Sequence, residues 1–396
     1  MQKPQVRTSS AHFTRLTVYS SNMSMRRFAI FALTAILISP AGASAAVKPG
    51  DVCKKVGTTS TVKNVKYTCI KSGKKLVWNS GVKVPAPQAS PTKQNAIDYK
   101  FSDFKDLVTN SSKIANVAYV SSQKLISTNT SSSPEVQYFI GPNTNPLDVR
   151  YKETFAFGFK FFGNYPQPKT ITMLFFNFQD KAWAENKYTE ITNNPNVERI
   201  SKNCQSSTQC EGADALPISL GTGHINFGSE KAGSLGSMGV IGLHEYFHLI
   251  QWNLNESAPS MVKMDLVPCW LREGQAHFFG HVSALRDYST YLKITNELVT
   301  TNPSPWAKFT APTIEKFLDS SCDGPAYNHS YDVGFFAVEA LTALAGPDST
   351  IQLTKLITAG TPFESSFMKI YGTSWSEVKK DLSIAIANQF VKGQRV

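Results

Sequence analysis

The stretch His244-Glu245-Tyr246-Phe247-His248 decides how this chain is interpreted, because it has the pattern H-E-x-x-H within an apolar segment. On an α-helix, residues four positions apart lie one turn apart on the same face. The two imidazoles are then able to hold one tetrahedral zinc ion. Glu245 is rotated by about 100° from His244, which places its carboxylate beside the metal. The pattern therefore predicts a helix with two zinc ligands and a base that takes a proton from a zinc-activated water.

A catalytic zinc ion takes a third protein ligand and keeps one open position. The candidate is Glu273, within the segment W-L-R-E-G-Q-A at 270–276. It follows His248 after 24 intervening residues, which is room for a loop and the start of a second helix. Glu256 and Asp265 are weaker candidates, because they lie in a polar loop that contains proline and has no helical pattern.

The segment at 270–276 resembles the second motif of the gluzincins, the metallopeptidase group that includes thermolysin-like peptidases and zinc aminopeptidases. The resemblance covers residues 220–345 and implies a thermolysin-like fold with Glu273 as third zinc ligand. The segment Y-D-V-G at 331–334 is similar to the Tyr-x-x-Gly of the aminopeptidase branch, whose tyrosine steadies the oxyanion. By this resemblance Tyr331 is the oxyanion residue, with His329 and Tyr327 as alternatives.

The chain departs from the gluzincin pattern in two respects. The spacing between His248 and Glu273 is several residues longer than the usual spacing of that group. The Gly-x-Met-Glu-Asn segment, with which aminopeptidases bind the substrate's N-terminus, has only a poor counterpart in Gly236-Ser237-Met238-Gly239. The second departure argues against aminopeptidase activity and leaves endopeptidase activity or another peptidase mode open.

Residues 1–45 have the pattern of a secretory signal peptide. Met25-Arg26-Arg27 is a basic start, residues 28–38 form an apolar run, and Ala43-Ser44-Ala45 supplies small residues for cleavage. The run is too short for the about 20 residues of a transmembrane helix, so we predict no transmembrane anchor in the mature chain. Residues 1–22 lack the pattern, which indicates a misassigned start. We predict a protein that is secreted or associated with the cell envelope.

Residues 46–83 predict a small basic β module. They contain nine lysines and one aspartate, whereas the whole chain has a net charge of +11. Because residues 84–396 are nearly neutral, the large domain is not expected to bind nucleic acid. The segments G-D-V-C at 50–53 and Y-T-C at 67–69 resemble a lysine-rich two-cysteine module of secreted actinobacterial proteins. The module either binds an anionic cell-envelope polymer or acts as a solubilising spacer.

All six cysteines follow the predicted cleavage site. An even number of cysteines in an exported protein favours disulfides over metal thiolates. The local spacing suggests the pairs Cys53–Cys69, Cys204–Cys210 and Cys269–Cys322. The last pair would fasten the helix of Glu273 to the segment just before Tyr327.

The chain is predicted to contain a proline-rich linker at 84–95 and a metallopeptidase domain at 96–396. The fold class is α+β, with a mixed sheet lobe followed by a helical lobe. Strands are expected at 169–177 and 224–228, and helices at 101–118 in part, 146–163, 181–191, 234–252, 270–286, 287–299, 331–345, 350–358 and 375–391.

The function predicted from these features is hydrolysis of peptide or protein substrates by a zinc metallopeptidase. Two alternatives remain from the sequence. The domain is a peptidase-like scaffold without activity, attached to the envelope by its basic module, or it is a zinc hydrolase of a non-peptide substrate.

Overall fold

The computed structural model describes residues 47–63, 65–83, 98–127, 133–145, 149–219, 221–229, 239–255, 264–300, 309–320, 327–389 and 395–396. The chain divides into two compact units, residues 1–87 and 88–396. The predicted signal segment at 1–45 and the predicted linker at 84–95 lie outside the described residues. No helix in the described part is long and apolar enough to cross a bilayer.

The first unit contains a small antiparallel sheet stapled by a disulfide. Its strands are β1 (Thr59–Val62), β2 (Val65–Ser72), β3 (Lys75–Trp78) and β4 (Val82–Lys83), and β2 pairs with each of the others. The predicted Cys53–Cys69 bond is confirmed, and both cysteines are buried. So few residues cannot bury a large core, and the covalent link compensates for that.

The second unit is built around a four-stranded mixed sheet with the order β5-β6-β8-β7. Parallel pairs join β5 (Glu135–Ile140) to β6 (Thr170–Phe176) and β6 to β8 (Thr222–Ser229), while β7 (Glu211–Ser219) pairs antiparallel to β8. Strand β6 is apolar and largely buried, as expected for a strand inside a parallel sheet. The predicted strands correspond to β6 and β8, whereas β5 and β7 were not predicted.

Helices flank this sheet and form most of the chain that follows it. They are α1 (Phe104–Thr109), α2 (Ile114–Ser127), α3 (Val149–Phe161), α4 (Lys181–Thr192), α5 (Glu198–Asn203), α6 (Val240–Asn253), α7 (Cys269–Ala284), α8 (Tyr288–Thr300), α9 (Ala311–Leu318), α10 (Tyr327–Ala345), α11 (Pro347–Thr358), α12 (Phe363–Tyr371) and α13 (Trp375–Gln389). The mixed sheet and the helices confirm the α+β class. The sequence predicted that α6 starts at 234, but Gly239 has the left-handed φ of +77° and the helix begins at Val240. The predicted residues 234–238 lie outside the described residues.

Three of these helices, α6, α7 and α10, pack with their backbones in close contact. A Cβ atom at Gly280 of α7 would lie 2.9 Å from the carbonyl oxygen of Val240 in α6. A Cβ at Gly334 of α10 would lie 2.2 Å from the carbonyl oxygen of Trp270 in α7. Only glycine fits at these positions, so the glycines set how closely the three helices approach.

We expect Gly334→Ala to lower the free energy of unfolding by about 1–3 kcal/mol, the usual cost of overpacking. The added methyl group would collide with backbone, which cannot turn away. Denaturant unfolding measures the loss. Gly158→Ala in α3 is the matched control, because its methyl group would meet the flexible end of the Leu243 side chain. Equal losses in the two variants would contradict the close contact of α7 and α10.

The second unit contains a further disulfide, Cys204–Cys210, as predicted. It closes a short loop between α5 and β7. Cys269, the first residue of α7, is also disulfide-bonded. Its predicted partner, Cys322, lies outside the described residues, so that pairing stays a prediction.

Candidate metal centre

Three predicted ligands meet where α6 packs against α7. The Nε2 atoms of His244 and His248 lie 3.2 Å apart. The Oε2 atom of Glu273 lies 3.7 Å from the first and 3.3 Å from the second. Helix α6 places its two histidines one turn apart on one face, and α7 presents Glu273 opposite them. The three residues form a group that could hold a metal ion.

The chemistry of this group fits a cation. All three side chains are buried, and Glu273 Oε2 forms no hydrogen bond of good geometry in the described part of the chain, although His244 Nε2 and His248 Nε2 approach it at 3.7 and 3.3 Å. Buried carboxylate oxygens in proteins are nearly always paired, and leaving one unpaired is costly. Two imidazoles with one carboxylate form a donor set that zinc accepts in catalytic sites. The charge of Glu273 is therefore balanced either by a proton on one imidazole or by a metal ion placed among the three atoms.

The charges of these ligands are coupled. Burial alone would raise the pKa of Glu273, but the neighbouring His248 and His244 hold it well below its usual value. Burial would lower the pKa of His248, yet the Glu273 carboxylate outweighs burial and raises it to about 8. Without a metal, the pair therefore exists largely as imidazolium and carboxylate below pH 8.

We expect metal binding to compete with this proton, because a ligating imidazole must be neutral. Below pH 8 the proton on His248 must leave before zinc binds. The apparent zinc affinity should therefore fall by about tenfold for each unit that the pH drops below 8. Above the pKa of about 8 the affinity should level off. Chelator competition at pH values on both sides of 8 measures this dependence. A flat profile through that region would contradict the protonated state of the apo site.

Glu245, the predicted base, is buried beside the ligands. Its Oε1 atom lies 4.0 Å from His244 Nε2. Burial raises the pKa of Glu245 to about 8, and the His248 charge partly opposes that increase. A carboxyl group with a pKa near neutrality is suited to accept and return a proton.

A chain of amide groups positions His248. Its Nδ1 atom lies 2.8 Å from Gln251 Oε1. The Gln251 Nε2 atom donates to the carbonyl oxygen of Arg272 at 3.0 Å and to Gln275 Oε1 at 2.8 Å. Because a backbone carbonyl only accepts, the amide of Gln251 has one orientation, with its oxygen toward the imidazole. His248 Nδ1 must then carry the proton, which leaves Nε2 free for a metal.

This chain of amides extends to α11 and was not predicted from the sequence. Thr354 Oγ1 donates to Gln275 Oε1 at 2.9 Å, and the donation from Gln251 Nε2 to that same oxygen fixes the orientation of the second amide. On the other side of the carboxylate, Arg272 Nε donates to Glu273 Oε1 at 3.1 Å. Gln251 lies three residues after His248 on the same helix, so its spacing alone gave a signal. Thr354 lies 79 residues beyond Gln275 and gave none.

Gln251→Leu should raise the zinc dissociation constant by about 10- to 100-fold, as loss of a partner behind a ligand usually does. The imidazole of His248 would lose the acceptor that fixes its proton. Gln251→Glu keeps an acceptor and should retain more of the affinity. The matched control is Asn253→Leu, a buried amide on the same helix that donates to Leu249. Similar losses in the Gln251 and Asn253 leucine variants would refute the positioning role.

The structure separates the candidate oxyanion residues. The Tyr331 ring stacks on the ring of His244, with centroids 5.6 Å apart. The ring of His329 instead contacts Phe317 at 4.6 Å and Phe309 at 5.2 Å. Tyr327 is the first residue of α10. The ring of Tyr331 therefore contacts a candidate ligand, and the side chain of Tyr327 lies outside the described residues. The predicted catalytic role of His329 stays a prediction.

Two further histidines lie behind the ligands on α7. His277 contacts the rings of His244 and Tyr331, and its Nε2 atom lies 3.9 Å from Asp332 Oδ1. His281 Nδ1 lies 2.7 Å from the carbonyl oxygen of His277. Burial lowers the pKa of both imidazoles, that of His281 to about 4. They are neutral at physiological pH and complete the wall behind His244.

No family model, no curated protein and no solved structure matches this chain.

Proposed function

We propose that this chain is a zinc-dependent peptidase of the gluzincin type, with His244, His248 and Glu273 as ligands and Glu245 as general base. One observation carries the proposal: three buried side chains from two helices converge as a group that could hold a metal ion, with Glu273 Oε2 3.7 and 3.3 Å from the Nε2 atoms of His244 and His248. Burial of Glu245 beside them supplies the base. A thermolysin-like arrangement is part of the proposal, supported by an antiparallel edge strand, β7, next to the strand that precedes α6.

The residues divide the chemical work. When bound, zinc would polarise the scissile carbonyl, activate a water and favour the ionised form of Glu245. Glu245 takes the proton of the attacking water and returns it to the leaving amine. Tyr331, whose ring stacks on that of His244, would donate its phenol hydrogen to the developing oxyanion. Gln251 holds His248 in the tautomer that leaves Nε2 free.

The inactive scaffold and the non-peptide hydrolase, the two alternatives to a peptidase, differ from it in what they require of the site. A peptidase-like scaffold would have no use for a buried carboxyl group at the position of Glu245 with a pKa near neutrality. A zinc hydrolase of a non-peptide substrate would use the same ligands and base, and only a substrate screen separates it. The disulfides of the described residues suit an oxidising compartment, which supports secretion as part of the proposal.

The test is zinc content by mass spectrometry, combined with cleavage of a mixed peptide library. Wild type should carry one zinc per chain and release new peptide termini, and Glu273→Ala should lose both. A wild type that takes up no zinc after reconstitution would end the proposal. Bound zinc without peptide cleavage would favour the non-peptide hydrolase.

A further inference from the structure

The sheet of the N-terminal module has two different faces. In antiparallel strands, directly paired residues share a face and successive residues along a strand point to opposite faces. Cys69 pairs with Trp78 and forms the buried disulfide with Cys53. Tyr67 lies on the same face, two residues earlier along β2. This inner face is the core of the module.

The opposite face, called here the outer face, contains a row of aliphatic side chains. Val52 pairs with Val77, and Val77 pairs with Ile70, so the three lie side by side across the sheet. Val82 pairs with Lys66 on the same face. Solvent reaches 76% of Val52, 66% of Val82 and 41% of Ile70. These aliphatic groups are on the surface of a module too small to bury them.

Lysines lie at both ends of this row. Lys66 lies on the outer face because it precedes Ile70 by four residues on β2. Lys75 lies there because it pairs with Ser72, two residues after Ile70. Both are exposed. The module as a whole has nine lysines and one aspartate between residues 46 and 83. An exposed apolar strip between cations therefore faces solvent on one side of the module.

We infer that the outer face binds an anionic lipid surface, with its aliphatic row inserted among the headgroups and its lysines on their phosphates. Charge complementarity selects an anionic partner, because lysines near such a membrane each add to binding. The aliphatic row selects lipid over a soluble polyanion, which would leave that row in water. This inference is independent of the peptidase proposal, since it uses no residue of the metal centre.

The test is co-sedimentation of the full chain with vesicles of phosphatidylglycerol and phosphatidylcholine, compared with phosphatidylcholine alone. The chain should bind only the anionic vesicles. Lys66→Gln combined with Lys75→Gln should weaken binding by about twentyfold. Val52→Ser combined with Ile70→Ser should weaken it by about tenfold. All four positions are on the outer face, so the module core is left intact.

Matched controls lie elsewhere on the same module. Lys71 is exposed on the inner-face side of β2, paired with Leu76, and Val56 is 56% exposed in a turn. Lys71→Gln and Val56→Ser should each leave vesicle binding within about twofold of wild type. Failure of wild type to bind anionic vesicles would overturn the inference. Equal binding of soluble polyphosphate, unaffected by Val52→Ser and Ile70→Ser, would replace lipid with the anionic polymer expected from the sequence.

Discussion

Replacing Glu245 with glutamine should lower the rate of peptide hydrolysis by about 10²- to 10⁴-fold, the range that general acid–base catalysis supplies. The amide has nearly the same shape as the carboxyl group but cannot accept a proton from water. Because the ligand atoms belong to His244, His248 and Glu273, zinc content should stay at the wild-type level. Steady-state kinetics with a cleaved library peptide, together with zinc content, measure the two effects separately.

A matched substitution defines the background. Glu190→Gln makes the same chemical change on the surface, where the carboxylate pairs with Lys187. It should leave both the rate of hydrolysis and the zinc content unchanged. If Glu245→Gln loses its zinc, the carboxylate takes part in binding and the assignment of ligand and base is wrong. If it keeps both zinc and full activity, the base is another residue.

The sequence alone predicts which residues of 244–248 are ligands and which is the base, because their directions depend on a single helix. The spacing within 244–248 fixes which side chains share a face, and the structure places them accordingly. Glu273 required a second helix at the right distance, and its identification rested on a resemblance. The structure brings it within 3.3 Å of His248 Nε2.

Other parts of the site depend on packing between distant segments. The sequence pattern began α10 at Tyr331, whereas the helix begins at Tyr327. Tyr331 therefore lies in the second turn, three residues before Gly334. The close approach of Gly334 to α7 carries Tyr331 toward His244. No local pattern predicts that approach, because in sequence-based prediction a glycine within a helix indicates only a lower helix propensity.

The unpredicted strands have a related explanation. Strand β7 contains Pro217 and alternates poorly, and both features are tolerated because β7 lies at the end of the strand order. Strand β5 has only short alternation at its exposed beginning. Both form because a neighbouring strand in the sheet supplies their hydrogen bonds. Tertiary context, which a single sequence does not display, decides such segments.

Replacing Arg395 should destabilise the second unit more than Gly334→Ala does. Its Nη2 atom donates to Glu339 Oε1 at 2.6 Å, and both side chains are almost fully buried. Tyr291 donates to the same oxygen at 2.6 Å. The other guanidinium nitrogen, Nη1, donates to Thr295 and Asn296. Removing the cation would leave the carboxylate of Glu339 inside the helical lobe with only one donor.

Arg395→Met should therefore lower the free energy of unfolding by about 3–5 kcal/mol, the usual cost of breaking a buried pair from one side. Burial raises the pKa of Glu339, and the charge of Arg395 opposes that increase. Without Arg395 the carboxyl group is expected to take up a proton, which recovers part of the loss. Urea unfolding at several pH values measures both the loss and its pH dependence.

The double variant Arg395→Met/Glu339→Gln separates pairing from packing. If Arg395→Met loses stability because the Glu339 charge is left unpaired, neutralising Glu339 should return much of that stability. The double variant should then unfold at a higher urea concentration than Arg395→Met alone. Additive losses would instead assign the effect to lost packing of the arginine side chain on Phe336. Since Glu339 and Tyr331 both belong to α10, loosening this pair should also weaken the contact of Tyr331 with His244. A loss of stability without any loss of catalytic rate would show that the two ends of α10 act independently.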